Sequence, residues 1–223
     1  MLILLPPSEG KAEPEGGAPL DFGELAFAAE LGGKRKALIK AFDPGLRKAP
    51  AALAAEIYTG VLYQRLQLSE LPAAARRRAA KRVLIASALW GFVRLEDRIP
   101  HYKLPPSTKL DGIGPLAAWW REALAVAMPD EPGEIIVDMR SGAYTAAWKP
   151  QHAQLLSVRA FREEKGARKA VSHMAKAVRG DVARALLLAR SEPQDAEAVA
   201  SVAGDAGFAV ELTPTSLDVV VDG

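Results

Sequence analysis

Cysteine is absent from the 223-residue chain, which excludes disulfide frameworks, thiol nucleophiles and thiolate metal sites together. Histidine is scarce. The three present, His101, His152 and His173, lie far apart, and none has a second ligand at metal spacing, so neither a metal nor any other cofactor is implied. Long hydrophobic runs are also missing: Met1-Leu2-Ile3-Leu4-Leu5 stops at Pro6-Pro7 and has no basic leader, the pattern of neither a signal peptide nor a membrane span. A cytoplasmic location is the expectation. No excess of one charge exists, with 29 basic against 27 acidic side chains, a net charge of +2 and a pI near 8.8. Any affinity for anions must therefore come from where the cations are placed. Proline and glycine are dispersed and mark no linker, and 49% of the residues are hydrophobic, enough for one compact domain over 1–223.

What is present alternates. Leu2 to Leu5, Val83 to Ser87, Glu134 to Met139, Leu155 to Phe161, Phe208 to Leu212 and Leu217 to Val221 are apolar and β-prone. Between them lie segments patterned as helices: Asp21 to Phe42, Pro50 to Ile57, Pro72 to Arg82, Pro115 to Met128, Lys165 to Arg190 and Glu192 to Ala206. This order predicts an α/β (mixed α+β) domain with a largely buried central sheet flanked by helices.

Within the Lys165 to Arg190 segment, a period of about 100° per residue sorts the side chains into two faces. Lys165, Arg168, Lys169, Ser172, Lys176 and Arg179 share one, and Ala170, Val171, Met174, Val178, Val182 and Ala185 the other. Five cations without interleaved carboxylates gain nothing from pairing within a helix, so either an external anion answers them or the face is simply solvated. The arginines of Pro72 to Arg82 spread around the helix girth and read as a solubilising surface.

Other short signals are weaker. Pro-Pro-Ser-Glu-Gly-Lys after the first strand lacks the early glycine and the following hydroxyl of a phosphate loop, though Ser8 and Lys11 can each contact a phosphate singly. Leu110-Asp111-Gly112-Ile113-Gly114-Pro115 spells the hairpin of a helix-hairpin-helix element, in which Gly112 and Gly114 let backbone N–H groups approach a phosphate. Pro100, Pro105 and Pro106 forbid a regular helix before it. Ser141 has no elbow glycine before it, and Glu96 and Asp97 beside Arg94 and Arg98 read as an ion network. More telling is a recurring pairing of rings with cations or hydroxyls: Tyr58-Thr59-Gly60, Trp90 to Arg94 with Tyr102-Lys103, and Arg140 to Tyr144 with Trp148-Lys149. Strand ends are where α/β folds place ligands.

Taken in order, Leu-Ile-Leu-Leu-Pro-Pro-Ser-Glu-Gly-Lys, then Ile57 to Gly60, Ala88 to Arg94, Tyr102 to Leu104, Ser141 to Tyr144 and Ala175 to Gly180 resemble the peroxide stress protein YaaA family. The likeness runs from Met1 to the last strand. It implies a single α/β domain, a cytoplasmic role in resisting hydrogen peroxide by limiting free iron, and DNA binding through a positively charged cleft with a helix-hairpin-helix element. The family's Tyr-Thr-Gly falls on Tyr58, Thr59 and Gly60, its Gly-x-x-Arg on Gly91 and Arg94, its Tyr-Arg/Lys on Tyr102 and Lys103, and its Ala-Lys-x-x-Arg-Gly supplies Lys176 and Arg179.

Two functions remain open on these residues. In the first, a basic groove binds the DNA backbone without reading bases, with phosphates on Lys165, Arg168, Lys169, Lys176 and Arg179 and an unpaired base stacked on Tyr58, Tyr102 or Tyr144. In the second, an enzyme holds a small phosphorylated or nucleotide-like substrate, with Lys11, Arg94, Tyr102, Arg140 and Lys176 as anion clamps.

Overall fold

The computed structural model describes residues 1–164, 167–170 and 172–221. Its elements, in chain order, are β1 (Leu2–Leu5), α1 (Ala28–Phe42), β2 (Ala51–Leu53), α2 (Ala54–Ile57), α3 (Val61–Leu66), α4 (Ala73–Arg82), β3 (Val83–Ser87), β4 (Gly91–Arg94) and β5 (Arg98–Pro100). There follow β6 (Lys109–Leu110), β7 (Gly114–Pro115), α5 (Leu116–Ala127), β8 (Ile135–Asp138), α6 (Gly142–Thr145), β9 (Gln154–Glu164), β10 (Ala167–Ala170), α7 (Ser172–Leu188), α8 (Ala196–Asp205), β11 (Ala209–Leu212) and β12 (Ser216–Val221).

The main sheet has the order β11-β12-β9-β8-β1-β3-β4, with β10 paired to β9. Strands β12, β9, β8, β1 and β3 are mutually parallel, and antiparallel β4, β10 and β11 complete it. Every residue of β1, β3 and β8 is buried, so both faces are covered, as their unbroken apolar spelling requires. Two helix groups supply the cover: α7 packs with α3, α4 and α8, while α1 packs with α5. The expected α/β architecture is the one observed.

The free edge at β4 is closed by a side chain. Arg35 of α1, fully buried, donates from Nε to Trp90 O at 3.0 Å, from Nη2 to Phe92 O at 2.7 Å and from Nη1 to Ala26 O at 2.7 Å. A guanidinium with fixed donors thus satisfies carbonyls that another strand would otherwise have to pair. Burial lowers the Arg35 pKa to about 10, against the opposing pull of Asp97.

Three expectations fail locally. The helix expected from Lys165 begins only at Ser172, because Gln154 to Glu164 and Ala167 to Ala170 pair as an antiparallel ladder extending from the sheet. Sheet pairing outweighs the weak helical preference of those residues. Arg168 and Lys169 therefore stand on a strand, not on a helix face with Lys176 and Arg179, and Lys165 lies outside the described residues. Pro50 to Ile57 divides into β2, which pairs with β5, and the single turn α2. Residues 109–115 form a two-stranded turn with Gly112 at φ 73° and Gly114 at φ 75°, ahead of α5. The segment before it holds β5 and a proline loop, so the two helices of a helix-hairpin-helix are not built.

Candidate functional site

The chain passes from β1 to β3 on one side and later to β8 on the other. Such a reversal leaves a crevice at the carboxyl end of the middle strand, where open α/β sheets bind ligands. Here it is bounded by the Pro6 to Lys11 loop after β1, Ser87 at the end of β3, and Asp138 and Arg140 at the end of β8.

The loop is fastened at several points. Ser8 Oγ accepts from Thr59 N at 3.0 Å and donates to Gly10 O at 2.5 Å. Tyr63 donates to Pro6 O at 2.7 Å, and Ala12 N to Ile57 O at 2.9 Å. Gly60, at φ 102°, makes the turn into α3 that only glycine enters without strain. These contacts explain Tyr-Thr-Gly: a buried ring, a backbone donor to Ser8, and a positive-φ turn into α3.

Beneath Lys11 lies a buried hydroxyl chain. Tyr58 and Tyr102 share a hydrogen bond of 2.8 Å, and Tyr102 and Ser87 one of 2.7 Å. Ser87 Oγ also accepts from Leu89 N and Trp90 N at 3.1 and 3.0 Å. Both lone pairs of Ser87 are thereby occupied, so its own proton goes to Tyr102, and the proton of Tyr102 to Tyr58. Tyr58 ends the chain with a hydroxyl proton still to give. Burial pushes Tyr58, Tyr63 and Tyr102 well above the usual phenol range, so all three remain neutral donors. Tyr63 stacks on Tyr58 with ring centres 5.8 Å apart.

Over these rings sits Lys11. Its Nζ lies 4.6 Å from the Tyr102 ring centre and 5.7 Å from that of Tyr58, and donates to Ser8 O at 2.9 Å. The ring faces attract the ammonium. Burial lowers the Lys11 pKa, with Glu9 acting against it. Two residues of α7 join from the side. Lys176, with its side chain 54% exposed, reaches solvent-exposed Glu9 at 3.4 Å, and half-buried Arg179 donates from Nε to Val158 O at 3.2 Å. Burial lowers the Arg179 pKa while Asp138 raises it. Its Nη atoms have no hydrogen bond among the described residues.

What brings α7 this close is Gly180. A Cβ there would stand 2.3 Å from Leu62 O and 2.8 Å from Arg65 Cβ of α3, so the backbones of the two helices touch, one turn after Lys176 and one residue after Arg179. Sequence reasoning missed Gly180, Ser87 and Tyr63 as site-builders. Gly180 was visible as a glycine inside an otherwise helical run, a feature that signals a close approach.

The remaining expected residues fall elsewhere or are occupied. Arg140 is buried and pairs bidentately with buried Asp138, Nε to Oδ1 at 2.8 Å and Nη2 to Oδ2 at 2.9 Å, between the Phe92 and Trp148 rings. It braces the crevice floor instead of offering a clamp. Tyr58 and Tyr102 are 1% and 4% exposed and present no face for a base to stack on. Tyr144, half-buried with its pKa raised to about 12 by burial and then by Glu9, and exposed Thr59 stay near the mouth. Lys103 is exposed beyond Tyr102. Arg94 is opposite Leu84, toward the amino end of β3, and caps α4. Arg168 pairs with Glu211 on β11. Gly112 and Gly114 are exposed on their own turn.

A family model for peroxide stress protein YaaA matches residues 23–212. The chain belongs to that family. Among relatives, UPF0246 protein SCO2297 of Streptomyces coelicolor is 41% identical across 99% of this chain and 98% of its own length. UPF0246 protein CE1889 of Corynebacterium efficiens is 37% identical over 95% of each. An uncharacterized Campylobacter jejuni protein, Cj0984, shares 30% over 67% of this chain and 59% of its own. Among the described residues no helix is long and apolar enough to cross a membrane.

Proposed function

We propose that this family member serves the peroxide response by binding a small phosphorylated or nucleotide-like ligand in the carboxyl-end crevice. The observation that carries the reading is the convergence of Lys11, Lys176 and Arg179 on that crevice, above a neutral hydroxyl chain that ends in a donor. Phosphate oxygens take charge-assisted bonds from the three cations, and the buried hydroxyl chain holds the Tyr58 and Tyr102 rings in place beneath Lys11. The phenols act as donors and orienting groups, not as bases, because burial keeps them protonated. The resulting role in lowering available iron and oxidative DNA damage, in the cytoplasm, is exerted through this ligand.

Thermal shift tests the reading with inorganic phosphate, AMP and a short oligonucleotide. A ligand at about 100 times its Kd adds about 2.7 kcal/mol, or about 5–10 °C for a chain of this length. AMP is expected to give that rise at low salt, and Lys11→Gln and Lys176→Glu to remove it. A second reading, contact with the DNA backbone, is favoured by the cations Arg159, Arg168 and Lys169 on β9 and β10, next to the start of α7. Asp218 and Glu211 already pair with Arg159 and Arg168, which weakens it. An electrophoretic shift of duplex or single-stranded DNA that disappears in Lys169→Glu, with no AMP stabilisation, would replace the first reading with the second.

A further inference from the structure

We propose that the open groove between α4 and the end of β4 is a second anion site, one that holds a phosphoanhydride chain. The helix carries Arg76, Arg77, Arg78, Lys81 and Arg82, and the fold divides them. Arg78 donates to Leu187 O at 3.1 and 2.5 Å, and Arg82 pairs with Glu192 at 2.9 Å. Those two tie α4 to its neighbours. Arg76, Arg77 and Lys81 instead line a cavity of about 800 Å³, opposite Arg94 and Glu96. None of these three cations has a hydrogen bond or ion pair among the described residues. Arg94 is held in place by its own bonds to Lys81 O at 2.9 Å and Ala80 O at 3.4 Å.

Four cations therefore face one carboxylate across a shared space whose floor is kept open by Ala73 and Ala80. Arg94 is partly answered by Asp97 and by the Phe27 ring 5.8 Å away, so the repulsion left is chiefly that of Arg76, Arg77 and Lys81, and a multiply charged anion removes it. Three of the four are guanidiniums, whose planar forks match phosphate oxygens two at a time. No aromatic side chain lines the groove, so it offers no platform for a base, and recognition falls on the phosphate chain. Inorganic polyphosphate and the triphosphate of a nucleotide both supply it.

The groove is independent of the crevice. Arg94 pairs in register with Leu84, whereas the crevice opens beyond Ser87, about 10 Å farther along the strand at ~3.3 Å per residue.

Isothermal titration of the full chain at low salt, with tripolyphosphate, ATP and AMP, tests the site. Tripolyphosphate and ATP should bind at least about tenfold more tightly than AMP here, the equivalent of one charge-assisted contact. Arg76→Glu/Arg77→Glu should abolish tripolyphosphate binding and the tight phase of ATP binding, Arg77→Gln should weaken both, and Arg121→Glu, a larger charge change than Arg77→Gln at an exposed position of α5, should leave them intact. Tighter tripolyphosphate identifies the inorganic chain as the source, and tighter ATP the nucleotide. Tripolyphosphate binding that survives the double variant overturns the proposal. So does equal loss in Arg121→Glu, or loss in Lys176→Glu alone, which would place the anion in the crevice. Melting curves of each variant establish that it is folded, and Arg77→Gln keeps the test decisive if the double variant is not.

Discussion

Gly180→Ala places one methyl group where two helices already touch. The new Cβ would lie 2.3 Å from Leu62 O, 2.8 Å from Arg65 Cβ and 3.1 Å from Leu62 C. A carbon normally approaches a carbonyl oxygen no closer than about 3.3 Å, so α7 must withdraw by about 1 Å. The contact is a backbone atom of α3, which cannot rotate away as a side-chain tip would. Overpacking of this kind costs about 1–3 kcal/mol, occasionally more, and the gain in helix propensity returns about 1 kcal/mol. The top of the range applies because the obstacle is rigid, leaving a net loss of about 2 kcal/mol and a fall of about 4–8 °C in Tm for a chain of this size. Gly33→Ala in α1 is the matched control, since a Cβ there meets nothing within 4 Å; it should stabilise the fold by up to about 1 kcal/mol. Because Lys176 and Arg179 ride on α7, Gly180→Ala should also weaken AMP or phosphate binding in the crevice, measured below the melting range. If Gly180→Ala raises Tm as Gly33→Ala does, the helix contact and the account of the site built on it are wrong.

Three further outcomes follow from the same structure. Tyr102→Phe removes the hydroxyl shared by Tyr58 and Ser87 and strands two buried polar groups, so chemical denaturation should show a loss of about 1–3 kcal/mol. Arg35→Met leaves the Trp90, Phe92 and Ala26 carbonyls unpaired and should be among the most destabilising single changes, with enhanced amide exchange in β4; unchanged exchange there would refute the edge-capping role. In acid, Asp218, Asp130 and Glu192 act together: burial opposes their charged forms, but hydrogen bonds from Arg159 and Ser216, from Ala153, Gln151 and His152 N–H, and from the chain's amino group and Arg82 outweigh it. Each carboxyl is held below its ordinary value, so its contribution is full above about pH 4.5 and is lost as pH falls through the lowered values. Asp97 runs the other way, because burial outweighs its bonds from Arg94 and Ala26 N–H and raises its pKa; Asp97 thus gives up no stability on first acidification, and Asp218→Asn, not Asp97→Asn, should flatten the acid limb of a Tm-against-pH curve.

The sequence alone determined the class of fold and most of its strands, because fully buried parallel strands must be spelled as apolar runs between turn signals. Leu2 to Leu5 and Val83 to Ser87 are examples whose ends the structure reproduces. It also determined the family, through short motifs in a fixed order, and it held Lys11, Lys176 and Arg179 among the candidate residues. What it could not determine was which cations meet. Helical period placed Arg168 and Lys169 beside Lys176, but the pairing of β10 with β9 put them on a ladder, a contact set by partners outside the local window. Likewise Arg140 read as a free cation until Asp138 and two rings closed around it. The α4 arginines, spread around their helix in sequence, were divided between structural bonds and an open groove only by what packs on each side. Local pattern is encoded by residues a few positions apart, whereas the field a ligand feels is summed over side chains that only the packed chain brings near.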